Sequence, residues 1–340
     1  MRIHFLIALV FSICPMLALA ESQVPRTPDG NDSFVYHPAE DVYVYTYTGI
    51  EEGVPVVVRT VYVPSTRIVP TVKSRIAVTT SGALRYSYRL MNGSASKQNL
   101  KGIRFAGSHA DRLGVSMPAG WKDIIIPDNI SPTEAPNAAT QYLINWHYIG
   151  RDRTAGLAPG SAQDGFAFVS NDLPGIAEAQ LRGADAPYKG PLDSGTWAWP
   201  PNNAVHDKAY AFESKDYVAR LVAAPKIGNP VPFNAAVVLA NLQKHLKTDV
   251  APLGLIDPVL MAVIDRGLTQ AIVAAQAGNT TSLLHEIKSL RQLLKQEHAD
   301  VDQDNDGDDD DKKPKPRIDK LAAKVLDFNL KYVGLKMTIR

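Results

Sequence analysis

The chain has 340 residues, 36 Lys+Arg against 35 Asp+Glu, 45% hydrophobic and 8% aromatic residues, and one cysteine. This is globular composition for about two domains, and it excludes a collagen, a wholly disordered chain and a disulfide scaffold. A net charge of +1 supplies no basic field of the kind that holds binding proteins on phosphate, so no nucleic-acid partner is expected.

Residues 1–20 read as a secretory signal peptide: Arg2 and His4 open it, an apolar run extends from Phe5 to Ile13, and Ala18-Leu19-Ala20 precedes Glu21. The run is interrupted by Pro15 and falls short of the roughly 20 residues a spanning helix needs. The expected product is secreted or periplasmic, cleaved after Ala20. Cys14 lies inside this segment behind Ser12 and Ile13, without the small residue that a lipoprotein processing site places before its cysteine. Cleavage leaves no cysteine, which excludes thiol catalysis and thiolate zinc sites. Beyond residue 20 the longer apolar runs are broken by charges, Pro or Gly, so no membrane span is expected in the mature chain.

From Ser33 to Val222 the pattern is that of strands. Val42, Val44, Thr46 and Thr48 alternate with Tyr43, Tyr45 and Tyr47, and Val54 to Val63 is rich in β-branched residues. Leu84, Tyr86, Tyr88 and Leu90 share one face, Arg85, Ser87 and Arg89 the other, ahead of a turn signal at Asn92-Gly93. Further strands are predicted at Ile103–Phe105, Ile124–Ile126, Tyr142–Tyr148, Gly165–Ser170, Ile176–Leu181 and Tyr217–Val222. Many short strands with no helical pattern between them point to an antiparallel, immunoglobulin-like β-sandwich over residues 25–223. Residues 183–207 are rich in Gly, Pro and Trp and read as an excursion from the sheets.

Residues 224–232 carry three prolines and read as an interdomain linker. Helical periods follow, at Val238, Leu242 and Leu246; at Leu260, Ile264, Leu268 and Ile272; at Leu283, Ile287, Leu290 and Leu294; and at Ile318, Leu321, Val325, Phe328, Tyr332 and Leu335. Such stripes need partners to bury them, so residues 233–340 are expected to form a small helical bundle. The whole is an α+β multidomain chain.

The acidic insertion at 300–317 has eight Asp in its first twelve residues. Calcium takes 6 to 8 oxygens, and a loop that wraps it needs carboxylates at alternate positions and a Gly at the sharp turn. With Asp302 at position 1, Asp304 and Asp306 follow, then Gly307, the Asp308 carbonyl and Asp310. This stretch resembles the EF-hand-like calcium loops of dockerins and of thrombospondin type 3 repeats, departing from them at position 12, where Lys313 replaces the bidentate Glu. A register from Asp300 also serves, with Asn305 in place of Gly. The competing reading is a solvated polar connector.

Other matches to catalytic signatures are chance. Asp193-Ser194-Gly195-Thr196 occurs once, whereas aspartic-protease chemistry needs two carboxylates sharing a proton. Ser94-Ala95-Ser96-Lys97 lacks the companion elements of penicillin-recognising enzymes and follows a turn signal. The histidines show no metal-ligand spacing; His147 is expected to point outward beside a core Trp146. Trp197-Ala198-Trp199-Pro200-Pro201 is a candidate ligand-binding cluster, because sugar faces and peptides both favour exposed indoles; its alternative is a plug at the end of the sandwich.

The segments Tyr86–Gly93, Pro118–Trp121, Ala158–Ser161 and Ser170–Gly175 make the chain similar to uncharacterised secreted bacterial β-sandwich proteins with a helical C-terminal module. The resemblance implies fold and export and brings no catalytic residues. The leading expectation is a non-enzymatic binding or structural protein of the cell envelope or extracellular space that recognises a glycan or protein partner. The alternatives are a carbohydrate-active enzyme with paired carboxylates on dispersed strands, and a structural protein held in an assembly by its helical tail.

Overall fold

A computed structural model describes residues 33–51, 54–106, 112–124, 142–150, 155–184, 215–298 and 317–339. The chain divides into two compact units, Met1–Ser65 with Asp185–Asp216, and Thr66–Ala184 with Tyr217–Arg340. The described residues form three antiparallel sheets and four α-helices, an α+β architecture.

In the first unit β1 (Ser33–His37), β2 (Val42–Glu51) and β3 (Val54–Tyr62) form a meander in the order β1-β2-β3. The β-branched and aromatic alternation predicts both long strands, and their register places Tyr36 opposite Tyr43 and Tyr43 opposite Tyr62.

The second unit carries two sheets. One has the order β4-β5-β10-β7, with β4 Pro70–Val78, β5 Leu84–Asn92, β7 Gly114–Ser116 and β10 Ala162–Ser170. The other runs β12-β11-β6-β9-β8, with β6 Leu100–Ala106, β8 Trp121–Asp123, β9 Tyr142–Tyr148, β11 Leu173–Gly183 and β12 Val218–Ile227. In β5 burial alternates residue by residue, so Leu84, Tyr86, Tyr88 and Leu90 all lie inside. Their rings and those of the second sheet interlock: Tyr88 lies 4.9 Å from Phe105 and 6.0 Å from Trp146, and Trp146 lies 5.2 Å from Phe166. Each ring so buried contributes about 1.5–3 kcal/mol. The Tyr86 and Tyr88 hydroxyls donate to the carbonyls of Asp172 and Ala223, which removes the penalty of burying them. Trp146 is buried and His147 half-buried beside it on β9.

The helices are α1 (Ala235–His245), α2 (Pro258–Gln276), α3 (Thr280–His298) and α4 (Lys320–Thr338), with a single π-helical turn, Leu246–Val250, after α1. Asn234, Asp257 and Asp319 cap α1, α2 and α4 through their side chains. The stripe on α3 is buried as its spacing predicts, at Leu283, Ile287, Leu290 and Leu294.

Three local readings differ from the structure. Residues 224–227, read as the start of a linker, continue β12, and Ile227 is buried. Pro225 fits there because β12 is an edge strand, where a missing N–H breaks no ladder. Of the strand predicted at Ile124–Ile126 only Ile124 is among the described residues; it follows β8, in which Trp121 packs edge-on against Phe166. In the last predicted stripe Ile318, Val325 and Tyr332 are buried, but Leu321 and Phe328 are half-buried and Leu335 is 52% exposed, while α4 also buries Ala322, Ala323, Leu326, Asn329, Leu330 and Val333. That helix packs on α3 and on β11 at once, so small and polar residues on its sheet-facing side are buried in place of larger ones. Finally, α2 is long and apolar enough to qualify as a membrane span by length and composition, a threshold no run after residue 20 was expected to reach. It carries Asp265 and Arg266 at its middle and buries Leu260, Ile264 and Leu268.

Candidate functional site

The candidate metal- and ligand-binding residues read from sequence fall outside the described residues: the acidic positions Asp302, Asp304, Asp306, Asp308 and Asp310 and the indoles Trp197 and Trp199, as do the turn at Asp193 and residues 1–20. What is described is the frame from which the acidic segment departs. Arg317, immediately before α4, pairs with Glu297 near the end of α3 and with the α2 cap Asp257, both at 3.1 Å. Two backbone bonds, from Asp257 N to the Arg317 carbonyl and from Asp319 N to the Leu255 carbonyl, are both 2.7 Å and fasten the same point. Hydrogen bonding from the Leu260 N–H, with help from Arg317, holds the Asp257 carboxyl below its ordinary pKa. Among the described residues no cluster of three or more His, Cys, Asp or Glu is arranged to hold a metal.

The described surface with the most recognition chemistry is one face of the β1–β3 sheet. Period-2 alternation places Phe34 and Tyr36 of β1, Tyr43 and Tyr45 of β2, and Tyr62 of β3 on that face. Phe34 and Tyr43 stack at 4.9 Å with an 11° interplanar angle, and Tyr36 lies 4.9 Å from Tyr43, tilted by 43°. Phe34 and Tyr45 are buried, while Tyr36, Tyr43 and Tyr62 are half-buried. Two carboxylates flank the rings. Asp41 accepts from the Tyr36 hydroxyl at 2.9 Å, and Asp216 accepts from the Tyr62 hydroxyl at 2.7 Å and from Ser65 N at 2.6 Å. Burial first, then the charges of Asp216 and Asp41, push the Tyr43 phenol above its ordinary pKa, so it remains a donor at neutral pH. Asp41 holds φ of 53°, a left-handed conformation that Asp tolerates better than most residues and that adds strain at this edge.

The alternation of tyrosines in β2 is the sequence signal for this face. Asp216, 154 residues from Tyr62, has no local signal.

A second cluster of polar side chains joins helices to the sheet in the second unit. Pairing of β6 along β11 runs from Gly183 to Ala179, and two β11 groups before that point, the Pro174 carbonyl and the Ile176 N–H, are met by side chains. Asn329 of α4 donates to the Pro174 carbonyl at 2.8 Å, and Ile176 N donates to His245 Nε2 at 2.9 Å. His245 Nδ1 lies 2.6 Å from Asp249, which the π turn brings one turn on. Because Nε2 accepts, the imidazole is the neutral Nδ1–H form. Burial lowers its pKa, the Lys226 charge acts in the same direction, and the Asp249 carboxylate opposes both. Gly175 is required at this junction, since a Cβ there would stand 2.6 Å from Lys226 Cβ and 2.8 Å from the imidazole. In the same unit Asn92 donates to the carbonyls of Gln98 and Leu157 and accepts from Ser96, so the Ser94–Lys97 tetrapeptide is a braced loop.

Comparison of the chain with protein-family models, with curated proteins and with solved structures finds no match.

Proposed function

We propose that this chain is an exported, non-enzymatic binding or structural protein of the cell envelope or extracellular space that recognises a glycan or a protein partner. The observation that carries the reading is the aromatic face of β1–β3. The half-buried rings of Tyr36, Tyr43 and Tyr62 present the part of their surface that is not packed on neighbouring rings to a sugar or to apolar side chains, and Asp41 and Asp216, which accept from Tyr36 and Tyr62, add carboxylates beside them. The deeply buried polar residues of the second unit support the same reading, because Asn92, His245 and Asn329 each serve a backbone group, the work of a brace. Trp197 and Trp199 are proposed as further ligand-binding rings.

In the second unit we read the two sheets as an immunoglobulin-like sandwich, supported by the interlocked rings of β5, β6, β9 and β10, and the helices as a small bundle, supported by the packing of each helix on the next. The acidic segment is read as a calcium-stabilised loop holding its ion through Asp302, Asp304, Asp306, Asp308 and Asp310; its alternating carboxylates and the tethering of its end by Arg317 support this.

The test is affinity electrophoresis through gels cast with soluble polysaccharides, beside chemical cross-linking to envelope proteins, for the parent and for Tyr36→Ala and Tyr43→Ala. Retardation or cross-linking that both substitutions abolish supports the reading. Binding that survives both refutes the aromatic face as its seat.

A further inference from the structure

The helices α3 and α4 run antiparallel, with Arg291 paired to Asp327 at 2.7 Å and Gly334 lying opposite Leu284 and Ile287. Between the two helices opens a groove of about 480 Å³. Ile287 and Leu330, 4% and 1% exposed, line its floor. On its lips stand Lys288 and Lys295 from α3 and Lys331 from α4, all exposed and none with a carboxylate partner among the described residues. Arg291, the remaining cation of the groove, is neutralised by Asp327.

Gly334 is informative because nothing in this packing requires it. A Cβ there would sit 3.7 Å from Ile287 and 4.0 Å from Leu284, ordinary contact distances. Glycine is a poor helix former, yet it stands within α4 and leaves a notch in one wall of the groove.

We propose that this groove docks an acidic amphipathic helix from a partner protein. The floor lies below the lysine heads, so it is reached only by a ridge of apolar side chains lowered between them, and carboxylates flanking that ridge meet Lys288, Lys295 and Lys331. A helix laid in the trough between two others has this form. The described helices cannot supply such a ligand: α1 has no acidic residue, α2 has Asp265, α3 has Glu286 and Glu297, and α4 has Asp327. The acid-rich segment Asp300–Asp311 contains one apolar residue, Val301, so it matches the lysines and leaves the floor empty. An anionic bilayer suits the site less well, because membrane-surface helices engage lipid through several protruding apolar side chains, whereas Ile287 and Leu330 are buried here and Leu335 is exposed. The proposal stands independently of the aromatic face of β1–β3.

The probe is a fluorescein-labelled amphipathic peptide of about 18 residues with Leu on one helical face and Glu on the others, titrated with the full chain by fluorescence anisotropy at low and high salt. We expect saturable, salt-sensitive binding that weakens at least about tenfold in the double variant Lys288→Glu/Lys331→Glu and in Gly334→Leu, which fills the notch. The two variants test charge and shape separately, and circular dichroism with a melting temperature no lower than the parent's shows that each is folded. A control peptide with Ser in place of Leu should bind at least about tenfold more weakly. The proposal is overturned by absence of saturable binding, by equal binding of the Ser control, by insensitivity to Gly334→Leu, or by variant-sensitive binding to phosphatidylglycerol vesicles in place of the peptide.

Discussion

Replacing His245 separates its hydrogen bond from its volume and its charge. The ring is 4% exposed, its Nε2 accepts from Ile176 N, and its Nδ1–H meets Asp249, whose side chain is half-exposed. His245→Phe keeps a ring in the cavity and leaves the Ile176 N–H buried without an acceptor, which costs about 1–3 kcal/mol; Asp249 returns to water at little penalty. His245→Gln can present an amide oxygen to the same N–H, so its loss should be smaller, with the difference of about 1–2 kcal/mol measuring that bond. Urea unfolding monitored by Trp fluorescence reads the total, and hydrogen exchange at the Ile176 amide reads the bond itself: protected in the parent and in His245→Gln, fast in His245→Phe.

The pH dependence follows from the same geometry. Burial and the nearby Lys226 keep the folded imidazole harder to protonate than a free one, with Asp249 opposing. The unfolded chain therefore takes up its proton first, near pH 6.5. The contribution of His245 is complete above that pH and is lost as pH falls toward the lower folded value, with a slope of at most about 1.4 kcal/mol per pH unit. His245→Gln should lack this component. Asp249→Asn should widen the window by lowering the folded value further. Identical stability profiles of parent and His245→Gln from pH 7.5 to 5.5, approximately the range where the linkage acts, would refute the buried neutral imidazole.

Other predictions rest on different parts of the molecule. Calcium at about 10 mM should stabilise the chain by about 1.4–2.7 kcal/mol if the acidic loop binds at extracellular-type affinity of about 10⁻³ to 10⁻⁴ M, read as a rise in melting temperature over an EDTA control. Changing Asp302, Asp304 and Asp306 together to Asn should remove the rise, and an equal rise in that variant would place the effect elsewhere. Gly175→Ala should destabilise by about 1–3 kcal/mol, because its methyl meets Lys226 Cβ and the imidazole of His245. Gly334→Ala should instead stabilise by about 0.5–1 kcal/mol, since it adds helix propensity without a clash; paired thermal melts of the two variants decide both. Asp257, whose folded carboxyl pKa is lowered, supports α2 above the unfolded value of 3.8 and loses that contribution as pH falls through the folded one. Acid titration followed by circular dichroism should show less loss in this range for Asp257→Asn.

The parts of the fold legible in the sequence are those where one residue type repeats at one period against one neighbour. In β5 four large apolar residues alternate with Arg85, Ser87 and Arg89, and the burial follows the letters. β4 was not legible: it begins at Pro70, and its exposed positions, Thr71, Lys73 and Arg75, leave only Val72, Ser74 and Ile76 to mark the inner face. β7 is three residues long, too short for any period. On α4 the largest residues suggest one stripe, of which Val325 and Tyr332 are buried, while contact with β11 widens the buried surface to Ala322, Leu326, Asn329 and Val333, and a single-helix pattern cannot show that a second surface is present. The aromatic face was written in the tyrosines of β2, but its carboxylate Asp216 stands 154 residues along the chain from Tyr62. His245 and Asn329 carry no signal, because a polar residue within a helical stripe looks the same whether it faces water or an unpaired strand.

That last point bears on what the helices are for. A bundle acting as a detachable assembly module would present a polar outer surface to the sheets, and its removal would leave β11 complete. Here the reverse holds. The Pro174 carbonyl and the Ile176 N–H are satisfied by Asn329 and His245, and Gly175 is bare so that the imidazole can approach. Leu173, Ile176 and Ile227 belong to the same continuous core as Val238, Leu242 and Leu330. Cutting the chain before α1 would expose an unpaired stretch of strand flanked by apolar side chains, the arrangement that recruits other strands and aggregates. The helices thus complete the second unit by covering the part of β11 that β6 does not reach.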